Sequence, residues 1–494
     1  MTLSDLLTES AARTPRKTCI KFEKRKVSYS KLDELVSLCA GGLRALGLET
    51  GERVAILMGN SPEYIVSYFA ILRAGGVVVP INTFLTSNEI SYILNDSGSR
   101  ILIYSAGFIL HVKEIGSSVK GVRAIAFEDI PRQMSEALKG SAEDTAVFLY
   151  TSGTTGFPKA AMLTHDNLIS NVKACRELMR VFRKDRVLLF LPLFHAFSFT
   201  VCVILPIYSC ATIVLLTSVK PFSNVIKSIF RERITFFVAV PTVYNILSRK
   251  RIPFFFKYIF KFLMNIKACI SGASALPPET IRAFEDRFRL PLIEGYGLTE
   301  ASPVVSVNPL KGMRKSSSVG LPLPGVKVEV IGDEGEKVSA GEIGELKVSG
   351  PNIMKGYFNR DEETAEVLKE GWLHTGDMAR IDEDGYLYIV DRKKDLIIID
   401  GMNVYPREVE DLINRHHLIE ESAMVGVPDG RGSELTVLFV RNKEDAVVDE
   451  DELRDFMKEN LARYKIPKRI VFIDEFPKTA TGKIKKIELK KWKI

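Results

Sequence analysis

The stretch Ala146–Lys159, "AVFLYTSGTTGFPK", decides how the rest of this 494-residue sequence is read. Its first four residues form a continuous apolar run, the pattern of a buried strand. Gly153 and Gly156 then let the backbone turn tightly and approach a ligand closely. Ser152, Thr154 and Thr155 add hydroxyl donors, and Lys159 adds a compact positive charge. Bare backbone, hydroxyls and a cation after a strand suit a phosphate cradle. The Walker pattern is excluded, because it needs four residues between the glycines and a lysine directly after the second. Here only Thr154 and Thr155 separate them, and Phe157-Pro158 precede the lysine. Taken alone, the run reads equally well as a Ser/Thr/Gly surface turn.

The surrounding sequence narrows the class. A hydrophobic content of 46% with 26% charged residues specifies a globular chain, and its length calls for more than one domain. The net charge of +7 suits anionic ligands or an anionic membrane surface, or simply a solvated basic surface. No aromatic-interleaved basic motif argues for nucleic acid. Cys19, Cys39, Cys175, Cys202, Cys210 and Cys269 form no CxxC pair and read as reduced core residues of a cytoplasmic protein. The N-terminus "MTLSDLLTESAARTPRK" lacks an apolar signal core, which argues against export. From Val187 to Val219 there is no Asp, Glu, Lys or Arg. Pro192, His195 and Pro206 break that run into short pieces, so it reads as buried core rather than a membrane span.

Through the first three hundred residues, helical and strand patterns alternate. "SKLDELVSLCAGGLRALG" and "SPEYIVSYFAILRAGG" have helical spacing and glycine stops, whereas "RVAILM", "ILIYS", "AVFLY", "TFFVAVP" and "IKACISG" are short apolar strands. This alternation predicts a large layered α/β domain with substantial parallel sheet. After about Val319 the pattern turns β-rich, with a hairpin "ARIDEDGYLYIVD" turning at Glu383-Asp384-Gly385. Beyond the polar knot Asp391–Asp395 lie roughly one hundred residues, enough for a small α+β domain. The expected division is 1–391, a hinge at 392–395, and a mobile unit at 396–494.

Set beside six further stretches, the loop resembles the AMP-forming synthetase superfamily of adenylating enzymes, most nearly the bacterial medium- and long-chain fatty-acid–CoA ligases. The stretches are "LPLFHAFSF", "SGASALPPE", "EGYGLTEASP", "GWLHTGD", "VDRKKDLII" and "PKTATGKI", in the family's order. The resemblance runs from near residue 5 to the C-terminus. It implies ATP and Mg²⁺ as requirements, coenzyme A as co-substrate, and a fatty acid as the substrate. An aryl acid, or a non-catalytic membrane-associated acyl-binding role, stands as the alternative.

By the same resemblance, Thr151, Ser152, Gly153, Thr154, Thr155, Gly156 and Lys159 hold the β- and γ-phosphates. Glu300 is the Mg²⁺ carboxylate and Thr299 contacts the α-phosphate. Gly272, Ala273, Glu294, Gly295, Tyr296 and Gly297 bound the adenine. Asp377 and Arg392 take the ribose, and Lys394 falls at the hinge. His195 stands beside the acyl carboxylate and the pantetheine tunnel. Gly401 meets pantetheine, and Lys483 bridges the substrate carboxylate and the α-phosphate. Without the resemblance, Asp377 and Arg392 read as surface charges, Tyr296 as core packing, and Lys483 as one of seven lysines of a solvated tail after Phe476.

One further stretch stands apart. "IPFFFKYIFKFLMNIK", residues 252–267, carries Lys257 and Lys261 four apart on an otherwise apolar helical face. It suits peripheral contact with the inner membrane, an access route for acyl chains, or a buried helix with two snorkelling lysines. Oligomeric state stays open.

Overall fold

The computed structural model describes residues 1–119, 121–152, 158–249, 265–399, 402–428, 434–444, 446, 448–478 and 483–492. The predicted helices form where capping and periodicity place them. The first helical stretch spans Tyr29–Ala45, begun by the Ser28 side chain accepting the Lys31 N–H. The second spans Pro62–Arg73. Ser61 caps it by accepting from Tyr64, and Pro62 occupies the first turn, where a missing N–H costs nothing.

Two large sheets dominate the first three hundred residues. One runs in the order Gly356–Tyr357, Pro158–Thr164, Thr145–Ser152, Val77–Pro80, Arg53–Leu57, Ser99–Tyr104, Arg123–Ala126. The other runs Leu321–Pro322, Val304–Val307, Leu292–Gly297, Ala268–Ser271, Phe236–Ala239, Arg186–Leu189, Thr212–Leu215, Thr18–Phe22, Arg25–Ser28. The central strands of each sheet pair in parallel, and Val77–Pro80, Thr212–Leu215 and Phe236–Ala239 are buried throughout. That is why they are continuous apolar runs rather than alternating ones. The charge-free run Val187–Val219 supplies two of these strands and a buried helical stretch, 196–208. No helix among the described residues is long and apolar enough to cross a membrane. Residues 252–264, with Lys257 and Lys261, lie outside the described residues. Lys267 beyond them reaches the buried Asp185 at 2.6 Å. All six cysteines are buried and unpaired.

One buried cation staples the N-terminal helices together. Arg73 is 2% exposed. It donates to Ser4 Oγ at 3.1 Å, Thr8 Oγ1 at 2.8 Å, Ser37 Oγ at 2.7 Å, and Asp33 at its carbonyl (2.9 Å) and carboxylate (2.6 Å). These partners lie on Leu3–Arg13 and Tyr29–Ala45. A buried guanidinium is tolerable only when so fully satisfied.

The β-rich region follows as predicted. Lys327–Ile331, Gly344–Ser349, Trp372–Ile381 and Leu368–Lys369 form an antiparallel sheet, and Leu387–Arg392 pairs with Trp372–Ile381 around the expected turn. The last hundred residues build a separate small core. Ile419–Pro428 and Glu434–Asn442 are antiparallel, Arg469–Phe472 is parallel, and helices Pro406–Ile413 and Glu450–Asn460 accompany them. Their core begins at Ile397, whereas the large core ends at Leu387.

Arg73→Met is expected to destabilise the large unit by about 3 kcal/mol or more, since it strands Asp33 and several polar groups. The check is a denaturant titration followed by tryptophan fluorescence and circular dichroism.

Candidate functional site

The site is assembled where the two sheets and the C-terminal unit converge. Strands Thr145–Ser152 and Pro158–Thr164 are antiparallel, with Thr151 opposite Lys159. The loop that closes them, with Gly153, Thr154, Thr155 and Gly156, lies outside the described residues, as does the Ser152 side chain. Tyr150 donates to Asp96 at 2.7 Å, and Arg360 pairs with the other oxygen of the same carboxylate at 2.7 Å. Lys159 is buried. Its Nζ lies 3.7 Å from Glu363 Oε1 and 5.5 Å from the centre of the Tyr357 ring. The Tyr357 hydroxyl in turn donates to Glu300 Oε1 at 3.0 Å. Burial, reinforced by the charge of Glu300, raises the Tyr357 pKa, so it remains a donor.

Thr299 and Glu300 stand on a short turn, Thr299–Ala301, directly after strand Leu292–Gly297. That strand could not bend there with ordinary residues. A Cβ on Gly297 would lie 2.0 Å from the Pro303 carbonyl oxygen, and one on Gly272 would lie 2.8 Å from the Phe197 ring. Ala273 adopts φ +74°, the left-handed region that costs a β-carbon residue energy. Tyr296 donates its hydroxyl to Asp377 Oδ2 at 2.5 Å. Asp377 sits opposite Arg392 in the strand pair, and Arg392 Nε meets Asp377 Oδ1 at 2.9 Å. Two residues fifteen apart in sequence are thus cross-strand partners. The Asp377 charge raises the Arg392 pKa further.

Glu294 does not face this cleft as an open carboxylate. It is 3% exposed and accepts the Leu276 N–H at 2.9 Å. Burial pushes its carboxyl up to about 7, with Asp411 adding and Leu276 N–H and Arg407 opposing. Arg407 and Asp411 belong to the C-terminal unit, on helix Pro406–Ile413.

Lys483 joins the site from the far end of the chain. It remains open to solvent, yet protein surrounds it closely enough for burial to lower its pKa. Arg392 lowers it further, and Asp377 opposes. The same ammonium acts on His195, whose pKa falls to about 4, first through burial and then through Lys483. His195 is therefore neutral at pH 7. Its buried Nε2 has no hydrogen-bond partner among the described residues. Asn60 holds its loop by donating to Leu191 O at 2.9 Å and accepting from Leu193 N at 3.0 Å. Gly401 lies outside the described residues.

Behind Tyr296 and Gly297 opens an apolar cavity. It runs past Phe197, Val201 and Phe236 towards Cys175 and Met179, and none of its lining residues is charged. Among the described residues no cluster of three His, Cys, Asp or Glu side chains could cage a metal. A single carboxylate such as Glu300 fits an ion held mainly by phosphate oxygens and water.

Sequence reading named most of these groups but missed Tyr357, Glu363, Asp96 and Thr375. Thr375 Oγ1 accepts the Asp377 N–H at 3.1 Å. Only the pairing of the two-residue strand Gly356–Tyr357 with Pro158–Thr164 brings Tyr357 to Lys159, and nothing in its local sequence signals that.

A large α/β unit, a small C-terminal unit, and charged groups from both around one cleft define the adenylate-forming ligase fold. The AMP-binding enzyme profile matches residues 7–358, and the AMP-binding enzyme C-terminal domain profile matches 408–483. The chain belongs to the AMP-binding enzyme family, as an AMP-forming acid–thiol ligase. A long-chain-fatty-acid–CoA ligase of Bacillus subtilis (strain 168) is 36% identical over 98% of this chain and 93% of its own length. A feruloyl-CoA synthase of an Amycolatopsis species is 36% identical over 97% of each. ATP-bound MatB from Rhodopseudomonas palustris superposes with a TM-score of 0.92 at 31% identity, over 99% of this chain and 98% of that one, whereas its apo form gives 0.81.

Glu294→Gln tests the buried carboxyl. The unfolded chain ionises near its ordinary 4.5 and the folded chain only near 7, so the fold loses stability as pH rises through that window. The variant should gain up to about 3 kcal/mol over the parent above pH 7 and nothing below pH 4.5. Paired thermal melts at pH 8 and pH 4.5 would check this.

Proposed function

We propose that the chain activates a fatty acid with ATP and passes the acyl group to coenzyme A. In the first step an oxygen of the substrate carboxylate attacks the α-phosphorus of ATP. The bond to pyrophosphate breaks, leaving acyl-adenylate. In the second step the thiol of coenzyme A attacks the acyl carbon, AMP leaves with the bonding pair, and the thiol proton passes to solvent. No enzyme nucleophile is needed, so catalysis is positioning and charge stabilisation.

The observation that carries this reading is that Lys483 acts on both His195 and the Asp377–Arg392 pair, while Tyr296, which donates to Asp377, lines an uncharged cavity. Lys483 would sit between two approaching anions and reduce their repulsion. Lys159 and the 151–156 loop would hold the departing pyrophosphate. Tyr296, Asp377 and Arg392 would fix the nucleoside, and Thr299 the α-phosphate. His195, neutral and with an unpaired nitrogen, would orient the carboxylate rather than act as a base. Glu300 would hold Mg²⁺, which would neutralise phosphate charge as pyrophosphate departs.

The higher likeness to an ATP-bound relative than to its apo form supports an arrangement ready for the first step. The proposed hinge at 392–395, with 1–391 before it and 396–494 after it, would then bring Gly401 to the thiol for the second. The uncharged cavity supports a monocarboxylate with an apolar body.

Pyrophosphate release across saturated acids of increasing chain length, with aryl acids alongside, should peak on the fatty acids. A peak on aryl acids would replace the substrate, and no release with any acid would remove the ligase reading. Lys483→Ala should lower adenylate formation by about 100-fold or more, while thioester formation from supplied acyl-adenylate stays within a few-fold. Equal loss in both half-reactions would sink the role given to Lys483.

A further inference from the structure

Lys159 and Glu300 come together through one side chain. Tyr357 stands between them, its ring beneath the Lys159 ammonium at 5.5 Å and its hydroxyl on Glu300 Oε1 at 3.0 Å. The ring has little freedom. Its residue pairs with Ala161 in the sheet, and its N–H donates to Thr364 Oγ1 at 2.9 Å. On either side, Lys355 N donates to Met162 O and Phe358 N to Ala160 O, both at 2.9 Å. Phe358 packs on Phe148 with ring centres 4.6 Å apart. Met354 N donates to Glu300 O at 2.9 Å, which fixes the Glu300 turn to the same segment. Arg360, on Asp96 together with Tyr150, anchors the far end.

A cation over an aromatic face is attracted by the ring quadrupole. A phenol donating to a carboxylate orients it through a charge-assisted bond. One rigid ring therefore sets the separation between an ammonium on a strand and a carboxylate on a separate turn. Glu363 Oε1, 3.7 Å from Lys159, is too far for a hydrogen bond and leaves the ammonium free to turn to a stronger anion.

We propose that Tyr357 is a positioning residue for adenylation: its ring seats Lys159 for the pyrophosphate, and its hydroxyl orients Glu300 for the metal. This rests on the ligase reading above. Because acyl-adenylate carries neither β- nor γ-phosphate, the residue matters in the first half-reaction and not in the second.

The test uses the full chain carrying Tyr357→Phe, which keeps the ring, or Tyr357→Leu, which removes ring and hydroxyl. Calorimetry measures ATP binding with Mg²⁺ and with EDTA. Pyrophosphate release is followed against total Mg²⁺, and thioester formation is measured from supplied acyl-adenylate. Tyr357→Phe should weaken the binding gained from Mg²⁺ by about tenfold and raise the Mg²⁺ concentration for half-maximal rate, with metal-free ATP binding unchanged. Tyr357→Leu should also weaken metal-free ATP binding by roughly fivefold. Both should leave the second half-reaction within about twofold, a split that a merely structural role would not produce. Parallel loss in both half-reactions, or an unchanged Mg²⁺ dependence in Tyr357→Phe, overturns the proposal. Tyr357→Phe keeps the test decisive if Tyr357→Leu fails to fold. The calorimetric arms read Tyr357 whatever acid the chain prefers, so failure of the ligase reading is distinguishable from failure of this one.

Discussion

The site depends on the contact between Asp377 and Arg392. These residues face each other across the last strand pair of the large unit, at 2.9 Å. Arg392 is also the last residue of strand Leu387–Arg392, where the chain leaves for the C-terminal unit. The ion pair therefore anchors three things at once. It holds the acceptor that receives the Tyr296 hydroxyl, fixes the point from which the small unit departs, and sets the charge that Lys483 meets when it arrives. A guanidinium half open to solvent beside a buried carboxylate can both bind and be approached.

The opposing wall solves a different problem. A carboxylate and a polyphosphate repel each other, so cations must surround the point of contact while the body of the acid avoids water. The structure separates the two demands in space. Lys159, Arg392 and Lys483 surround the cleft, whereas the cavity behind Tyr296 carries no charge at all. Between these zones lies glycine backbone at Gly272 and Gly297, where a side chain would press on Phe197 or Pro303. Bare backbone lets a narrow ligand pass from a polar zone to an apolar one without a protruding group.

Much of the fold was legible because parallel strands are buried on both faces and leave unmistakable apolar runs, as at Phe236–Ala239 and Ala268–Ser271. The helical stretches beginning at Ser30 and Ser61 were equally plain, although the cap of the first is Ser28, just ahead of the stretch read as helical. The site was legible only through its resemblance to a family, since Asp377 and Lys483 look like surface charges until the chain is folded. Register put Asp377 on Arg392, and long-range packing brought Lys483 to His195. Neither leaves a local pattern. Glu294 shows the limit from another side, because nothing in its motif signals the burial or the Leu276 N–H that hold its carboxyl. Tyr357 was invisible because its strand is two residues long, too short for any periodicity.

The cysteines carry a consequence for chemical self-protection. Cys175 lines the cavity in which an activated acyl group would lie. Burial pushes its thiol up to about 12, and the thiols of Cys19, Cys39, Cys202 and Cys269 are raised for the same reason. The attacking species of a cysteine is the thiolate, which such burial suppresses at neutral pH. A protein that would hand a reactive acyl group to a thiol thus keeps the sulfur beside that group protonated, so the acceptor is chosen by acidity as well as by geometry.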